Sequence, residues 1–227
     1  MNIVPFQSEQ PETPFAPYWG FGVGEHQTDI DCDALREFLL SKEEEVLSIS
    51  EFNETAYGTY LGADSTTARS EYYNVLMWDN PQIDQLKDEI SEFHNWYYQA
   101  CTGNVPNHGI RVGGWMNIMR KGDRIKKHVH GYGAKTYLSG HFTVSCSDTK
   151  TIYMNPYDHL AEEDVIREVR EENHTFSDKL YVSENSVDKI SIFPNYVPHF
   201  TTEHTQDDER ITLAFDLMPR YNNYINL

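Results

Sequence analysis

WMNIMRKGDRIKKHVHGYGAKTYLSG, residues 115–140, contains the one closely spaced histidine pair of the chain, His128 and His130. Side chains two residues apart on an extended strand leave the backbone on the same side, so both imidazoles would face one way. Neutral imidazoles bind first-row divalent metals, and two on one strand can occupy adjacent coordination positions. The stretch therefore predicts a metal site that a third ligand from elsewhere in the chain completes.

His199 is the candidate third ligand because of the sequence that follows it. Ten residues separate His199 from Arg210, and Ile211 and Thr212 come next. The order His-x-His, a distal His and, after ten residues, Arg-x-Thr resembles the 2-oxoglutarate- and Fe(II)-dependent oxygenases, above all the group common in marine phages and bacteria. The likeness extends to Trp-x-Asn, Gly-Asp, Ser-Gly and Phe-Pro-x-x-x-x-His motifs, and it covers roughly residues 110–218.

The resemblance implies a reaction and a set of metal ligands. The enzyme would oxidise a substrate C–H bond, most simply by hydroxylation, while it converts 2-oxoglutarate to succinate and carbon dioxide. Fe(II), 2-oxoglutarate and O2 would all be required. His128, His130 and His199 would bind the iron and leave further coordination positions open for the cosubstrates.

The same likeness implies a pocket for 2-oxoglutarate. Its far carboxylate needs a buried, permanently charged partner, and Arg210 would supply a forked pair of donors. Thr212, two residues further along the same strand face, would add a hydroxyl donor. Asn117 and Ser139 match the Asn and Ser-Gly positions of the family and would make weaker polar contacts in this pocket.

His130 departs from the usual pattern of the superfamily, in which Asp or Glu completes a two-histidine, one-carboxylate set. Three neutral imidazoles leave the double charge of the metal to be balanced only by the bound cosubstrate. Alternatively, His130 faces away and another residue binds the metal, with His141 and His204 as the reserves. Two further classes stay open: a cupin-type metal-binding protein or enzyme that does not use 2-oxoglutarate, and a non-catalytic jelly-roll module.

Alternating hydrophobicity predicts the fold. Strands are expected at about 110–119, 124–131, 135–147, 150–154, 180–183, 188–193, 196–203 and 209–218. Strands joined by turns, without crossover helices, are typical of an antiparallel jelly roll or barrel. Two helices, from Asp31 to about Leu47 and from Asn80 to Gly103, would form a supporting layer on one sheet. We therefore predict a mainly β protein with helices (α+β), a double-stranded β-helix of the jelly-roll or cupin-like kind.

We expect one domain over residues 1–227, with an arm and supporting helices in 1–105 and the β core in 106–220. Residues 1–27 are rich in proline, glycine and aromatic residues and lack a helical period, which predicts an irregular arm. Gly20-x-Gly22-x-Gly24 would form a flexible turn within it. Short strands are expected at 59–61 and 72–78. A short helix between Asp158 and Glu172 would lie between strands, with its carboxylates on a solvated face; the alternative is that it acts as a lid.

Two strands can be assigned face by face. In Arg210–Leu217 the residues Ile211, Leu213, Phe215 and Leu217 form an apolar face, and Arg210, Thr212, Ala214 and Asp216 form the other. Tyr137–Cys146 alternates in the same way. Each polar face either meets solvent or lines a wet barrel interior, and the resemblance favours the interior because Arg210 would act there.

Charge limits the partners. The chain has 36 acidic and 18 basic residues, a formal net charge of −18. Such a field repels phosphate backbones and anionic membranes, so we predict no nucleic-acid or membrane partner and a small-molecule or peptide substrate. The exception is a cluster of basic residues, which would form either a solvated turn or a guide for an anionic substrate. Its members are Arg120, Lys121, Arg124, Lys126 and Lys127.

Cysteine usage and the N-terminal sequence bear on location. Cys32, Cys101 and Cys146 are odd in number and widely spaced, which predicts reduced thiols and no disulfide framework. The first residues lack the basic head and apolar run of a signal peptide. These features favour a cytoplasmic protein, in the host cytoplasm if a phage encodes it, and they leave the oligomeric state open.

Overall fold

The computed structural model describes residues 1–8, 13–16, 18–49, 59–60, 66–67, 74–131, 137–157, 162–170 and 180–220. The helices in this part of the chain are α1 (Cys32–Ile49), α2 (Pro81–Thr102), α3 (Glu162–Arg170) and a 3-10 turn at Val75–Met77. The strands are β1 (Asn2–Gln7), β2 (Gly20–Gln27), β3 (Thr59–Tyr60), β4 (Thr66–Thr67), β5 (Gly109–Met119), β6 (Arg124–Ile125), β7 (Leu138–Ser145), β8 (Lys150–Met154), β9 (Leu180–Glu184), β10 (Lys189–Pro194), β11 (His199–Thr201) and β12 (Arg210–Arg220).

Two antiparallel sheets face each other. The larger has the order β1-β2-β10-β7-β12-β5-β4, and the smaller has the order β11-β8-β9. Their inner side chains meet, because the ring of Phe193 on β10 lies 4.9 Å from that of Tyr153 on β8 and 4.6 Å from that of His199 on β11. This arrangement is a double-stranded β-helix, and the predicted fold class is confirmed.

All eight strands predicted for the core are present, three of them shortened. The stretch 135–147 contains β7, and its residues 135–136 lie outside the described residues. The stretch 124–131 contains β6 and then an isolated bridge from His128 to His199, and 196–203 is reduced to β11. Thr59–Tyr60 and Glu162–Arg170 also fall inside predicted elements.

Helix α2 shows why the outer layer was predictable. The side chain of Asn80 caps it by accepting hydrogen bonds from the amides of Gln82 and Ile83, and Pro81 occupies the first turn. Gly103 ends it in the left-handed conformation, with φ of 73°. One stripe of the helix packs on the larger sheet through Ile83, Leu86, Ile90, Phe93 and Tyr97.

Two expectations were wrong. Residues 1–27 are not an irregular arm: β1 and β2 form a hairpin that extends the larger sheet alongside β10. Glycine is needed in β2 where α2 lies against it, since a Cβ at Gly24 would be 2.7 Å from Cδ2 of Tyr97. In the stretch 72–78, Val75–Met77 is a 3-10 turn rather than a strand, because the Asn74 side chain caps the amide of Leu76.

Candidate metal and cosubstrate site

Strand β12 separates the core from the site. Ile211, Leu213 and Phe215 are fully buried in the apolar cluster that includes residues of α1 and α2. Arg210 and Thr212 point the other way and are also buried, at 1% and 2% exposure. Because both faces are covered, the polar face lines the interior between the sheets.

Three histidines converge at the mouth of this interior. The candidate ligand atoms of His128, His130 and His199 all lie within 4.8 Å of one another. The backbones of His128 and His199 exchange two hydrogen bonds of 3.0 Å, so the sheet itself fixes the spacing of these two residues. His130 therefore does not face away from the cluster.

Each of the three rings is held at Nδ1 by an acceptor. His128 Nδ1 lies 2.7 Å from the carbonyl oxygen of Lys126, and His199 Nδ1 lies 3.0 Å from that of Val197. His130 Nδ1 lies 2.7 Å from Oδ1 of Asp216. Since a carbonyl only accepts, the Nδ1 atoms of His128 and His199 donate, and their Nε2 lone pairs remain available for a metal.

Electrostatics keep His199 neutral. Burial, and then the neighbouring His128 and His130, lower its pKa well below the ordinary value. A neutral imidazole is the form that binds a metal. The donor set, the tautomers of His128 and His199 and the neutral form of His199 therefore fit a divalent ion.

Arg210 places a cation deep in the same interior. Its Nε donates to Oγ1 of Thr149 at 2.7 Å, and Nη1 lies 3.0 Å from the sulfur of Met119. Within the described residues no carboxylate is hydrogen-bonded to it, and burial lowers its pKa. Cys146 and the charge of Asp148 partly oppose this shift, but a buried guanidinium without a hydrogen-bonded carboxylate is costly. The arrangement therefore fits a ligand that brings a carboxylate.

His141 lies between Arg210 and the histidine cluster. Burial, and then the charges of Arg210, Lys189 and His130, lower its pKa to about 3, so its ring is neutral at physiological pH. The interior around it contains buried atoms without a hydrogen-bond partner, namely Nε2 of His141, Oγ1 of Thr143, the hydroxyl of Tyr153 and Oγ of Ser191. Burial raises the pKa of Tyr153, and the nearby hydroxyl of Ser191 opposes this shift. The geometry between the two hydroxyls is nevertheless not that of a hydrogen bond. These atoms suit a polar ligand.

The remaining predicted residues occupy different places. Thr212 is opposite Asn117 in the pairing of β12 with β5, and both are buried. The hydroxyl of Ser139 lies 2.5 Å from Oδ1 of Asp216, at the mouth. The reserve ligands His141 and His204 are not in the histidine cluster.

His204 has a structural environment. Its Nδ1 lies 2.8 Å from Asp148 and its Nε2 lies 2.7 Å from the carbonyl oxygen of Asp208, so both nitrogens are occupied. Three of the five basic residues predicted as a group also have acidic partners: Arg120 pairs with Glu43, Lys121 with Asp207 and Arg124 with Glu162.

Sequence reasoning missed several residues of the interior. Thr149 and Tyr153 lie on the smaller sheet or next to it, and nothing in their local sequence indicates that they approach Arg210 or His199. Asp216 was assigned only to a polar strand face. The alternation of β12 gave its direction, but its contact with His130 depends on a partner 86 residues away.

A double-stranded β-helix with three converging histidines at its mouth and a buried arginine inside fits a protein that binds a divalent metal and an anionic ligand. Residues 113–216 match the family described as "Putative 2OG-Fe(II) oxygenase". Over these residues the chain is similar to the 2-oxoglutarate- and Fe(II)-dependent oxygenases, a family that uses Fe(II), 2-oxoglutarate and O2. No protein of curated function matches the chain in sequence.

Solved structures share the fold at low sequence identity. A prolyl-4-hydroxylase from Pseudomonas putida is 12% identical, with a TM-score of 0.56 over 89% of this chain and 94% of that one. HygX from Streptomyces hygroscopicus, solved with nickel and 2-oxoglutarate, is 13% identical, with a TM-score of 0.51 over 88% and 84%. A Trichoplax adhaerens prolyl hydroxylase, solved with a hypoxia inducible factor peptide, is 11% identical, with a TM-score of 0.51 over 88% and 83%.

The described helices also bear on membrane association. None of them is both long enough and apolar enough to cross a bilayer.

Proposed function

We propose that the protein hydroxylates a C–H bond of a small-molecule or peptide substrate, with His128, His130 and His199 as its iron ligands and Arg210 as the anchor of 2-oxoglutarate. The observation that carries this proposal is the buried guanidinium of Arg210, which lies inside the same double-stranded β-helix as the histidine cluster and has no carboxylate bonded to it among the described residues.

The three histidines would bind the metal through one nitrogen each. Nδ1 of each ring is engaged, which fixes the ring plane and directs Nε2 into the shared space. Three ligands on one side leave the other coordination positions for 2-oxoglutarate and O2. When bound, the iron supplies oxygen activation coupled to decarboxylation of the cosubstrate. The rings of Phe193 and Tyr153 beside His199 would exclude bulk water from this side of the site.

The interior polar atoms would hold 2-oxoglutarate. Arg210 would bind its far carboxylate with forked donors, and Thr212 and Asn117 lie next along the strands to add polar contacts. His141 and Thr143, which sequence reasoning did not assign to this pocket, have unpartnered buried polar atoms and are further candidates. The neutral ring of His141 would contact the dianion without adding charge.

The choice between small-molecule and peptide substrates rests on analogy and charge. Two of the structures with this fold are prolyl hydroxylases, one of them bound to a peptide. The net charge of −18 disfavours nucleic acid and favours neutral or cationic substrates. Cys32, Cys101 and Cys146 are free thiols, which agrees with a reducing, cytoplasmic location.

Anaerobic titration with Fe(II) and then 2-oxoglutarate tests the proposal. Chelation of 2-oxoglutarate to the bound iron produces a weak visible charge-transfer band, which we expect for the wild type and for the surface control Arg36→Gln. Arg36 pairs with Glu209 outside the interior. Arg210→Gln should bind iron but lose the band at moderate 2-oxoglutarate concentrations. Stoichiometric iron without any response of the wild type to 2-oxoglutarate would instead favour the cupin-type alternative.

A further inference from the structure

His130 differs from the other two histidines in the group that holds its ring. His128 and His199 donate through Nδ1 to main-chain carbonyl oxygens. His130 Nδ1 instead contacts the carboxylate of Asp216 at 2.7 Å. Of these three Nδ1 contacts, that of His130 is the one made to a carboxylate.

Both Asp216 and His130 are held in place by further hydrogen bonds. Oδ1 of Asp216 also lies 2.5 Å from the hydroxyl of Ser139, which is the direct neighbour of Asp216 in the pairing of β12 with β7. On the other side, the amide of His130 donates to the carbonyl oxygen of Asn195 at 3.0 Å. Both partners of the contact are therefore attached to the strands of the larger sheet or to the turn that follows β10, so the contact is a built feature of the fold.

The contact changes the charge balance of the site. Three neutral imidazoles leave a divalent ion with a net charge of +2, whereas two histidines and a carboxylate leave about +1. The carboxylate of Asp216, which lies beyond the ring of His130, returns the net charge of the site to about +1. It also makes that imidazole a stronger donor to a metal, as outer carboxylates do for other histidine ligands.

We propose that Asp216 is a positioning residue that supplies, through His130, the negative charge that the three-histidine set lacks. This inference rests on the proposed function. It replaces the expectation that the cosubstrate alone balances the charge of the metal, because the balancing carboxylate lies one ring further from the ion and is present before 2-oxoglutarate arrives.

The test is metal binding by Asp216→Asn without 2-oxoglutarate. The asparagine oxygen can still accept from Nδ1, so the substitution removes the charge and keeps the contact. We expect the Kd for Fe(II), measured by anaerobic calorimetry, to rise about 10–100-fold, the range known for outer partners of metal ligands. The Fe(III)/Fe(II) potential should also rise, since loss of a negative charge disfavours the more highly charged ion.

Asp148→Asn is the matched control. Asp148 makes the same kind of contact, 2.8 Å to Nδ1 of His204, and His204 is fully buried outside the histidine cluster. This variant should leave both the Kd and the potential unchanged. Thermal unfolding of the metal-free proteins checks that each variant is folded.

The outcomes separate the inference from the proposal on which it rests. An Asp216→Asn protein with wild-type Kd and potential would overturn the role of Asp216. Weaker binding with an unchanged potential would also overturn it, because orientation alone would then explain the effect. A wild type that binds no iron would overturn the proposed function itself.

Discussion

The two faces of β12 differ in how completely their buried side chains are partnered. On the face toward α1 and α2, Leu213 and Phe215 are fully buried among apolar partners, and the packing is complete. On the face toward the smaller sheet, Arg210 is equally buried but has no carboxylate partner in the described chain, and Nε2 of nearby His141 is unpartnered. One face stabilises the fold, and we expect ligands to complete the other, so stability and function should respond to different substitutions on a single strand.

His199→Ala should have the largest effect. It removes the most buried of the three candidate ligands, and two remaining imidazoles cannot hold the metal in the same geometry. We expect no stoichiometric iron and succinate formation at background, measured by metal analysis and a 2-oxoglutarate turnover assay. Retention of one equivalent of iron by the folded variant would remove His199 from the site.

Phe215→Ala tests the opposite face. The substitution leaves a cavity beneath the helices, and it should lower the free energy of unfolding by about 3–5 kcal/mol. The Kd for Fe(II) of the folded fraction should stay at the wild-type value, because Phe215 points away from the histidines. Urea denaturation and metal titration measure the two effects. A large change in Kd with little change in stability would break the division between the faces.

Arg210→Met should separate binding from stability. Loss of one partner of a buried charged pair costs about 2–5 kcal/mol, so the KM for 2-oxoglutarate should rise about 30-fold or more. The metal-free protein should be as stable as the wild type or more stable, because the variant no longer buries a cation that lacks a hydrogen-bonded carboxylate. Steady-state kinetics and thermal unfolding of the metal-free protein give the two readouts. A marked loss of stability with an unchanged KM would assign Arg210 to the core.

The smallest effect is expected for Glu43, on helix α1. Burial alone would raise the pKa of Glu43, but hydrogen bonds from Arg120 and Thr66 outweigh it and hold the pKa below 4.5. A lowered folded-state pKa contributes stability above the unfolded value near 4.5, and this is lost as the pH falls through the folded value. The Tm of Glu43→Gln should therefore fall less steeply than that of the wild type as the pH is lowered, when both are measured by thermal unfolding across the acid range. Parallel curves for the two proteins would contradict this assignment.

The parts of the fold that the sequence predicted depend on local rules. The caps Asn80 and Gly103 define α2 without reference to the rest of the chain, and two-residue alternation gave the directions of Arg210 and Thr212. The spacing of His199 and Arg210 was informative because both residues lie at strand starts, β11 and β12, that the fold brings to one interior.

The parts that escaped prediction depend on distant partners. Gly22 and Gly24 look like a flexible turn until β1 and α2 are packed against β2. Only then would a Cβ at Gly22 collide with Ile3 of β1, and one at Gly24 with Tyr97 of α2. Asp216 carries no local sign of its contact with His130. The partner of a buried polar group is set by the assembled sheets, and a single strand pattern does not contain that information.

The paired backbones of His128 and His199 bear on which ion the protein acquires in a cell. Because main-chain hydrogen bonds set the distance between these two candidate ligands, the site would be assembled before a metal binds and would have little freedom to reject an ion by adjusting its shape. Nitrogen donors favour nickel and copper over iron in intrinsic affinity. Correct loading would then depend on the supply of each ion, and material purified in air should carry a mixture of metals until it is stripped and reconstituted.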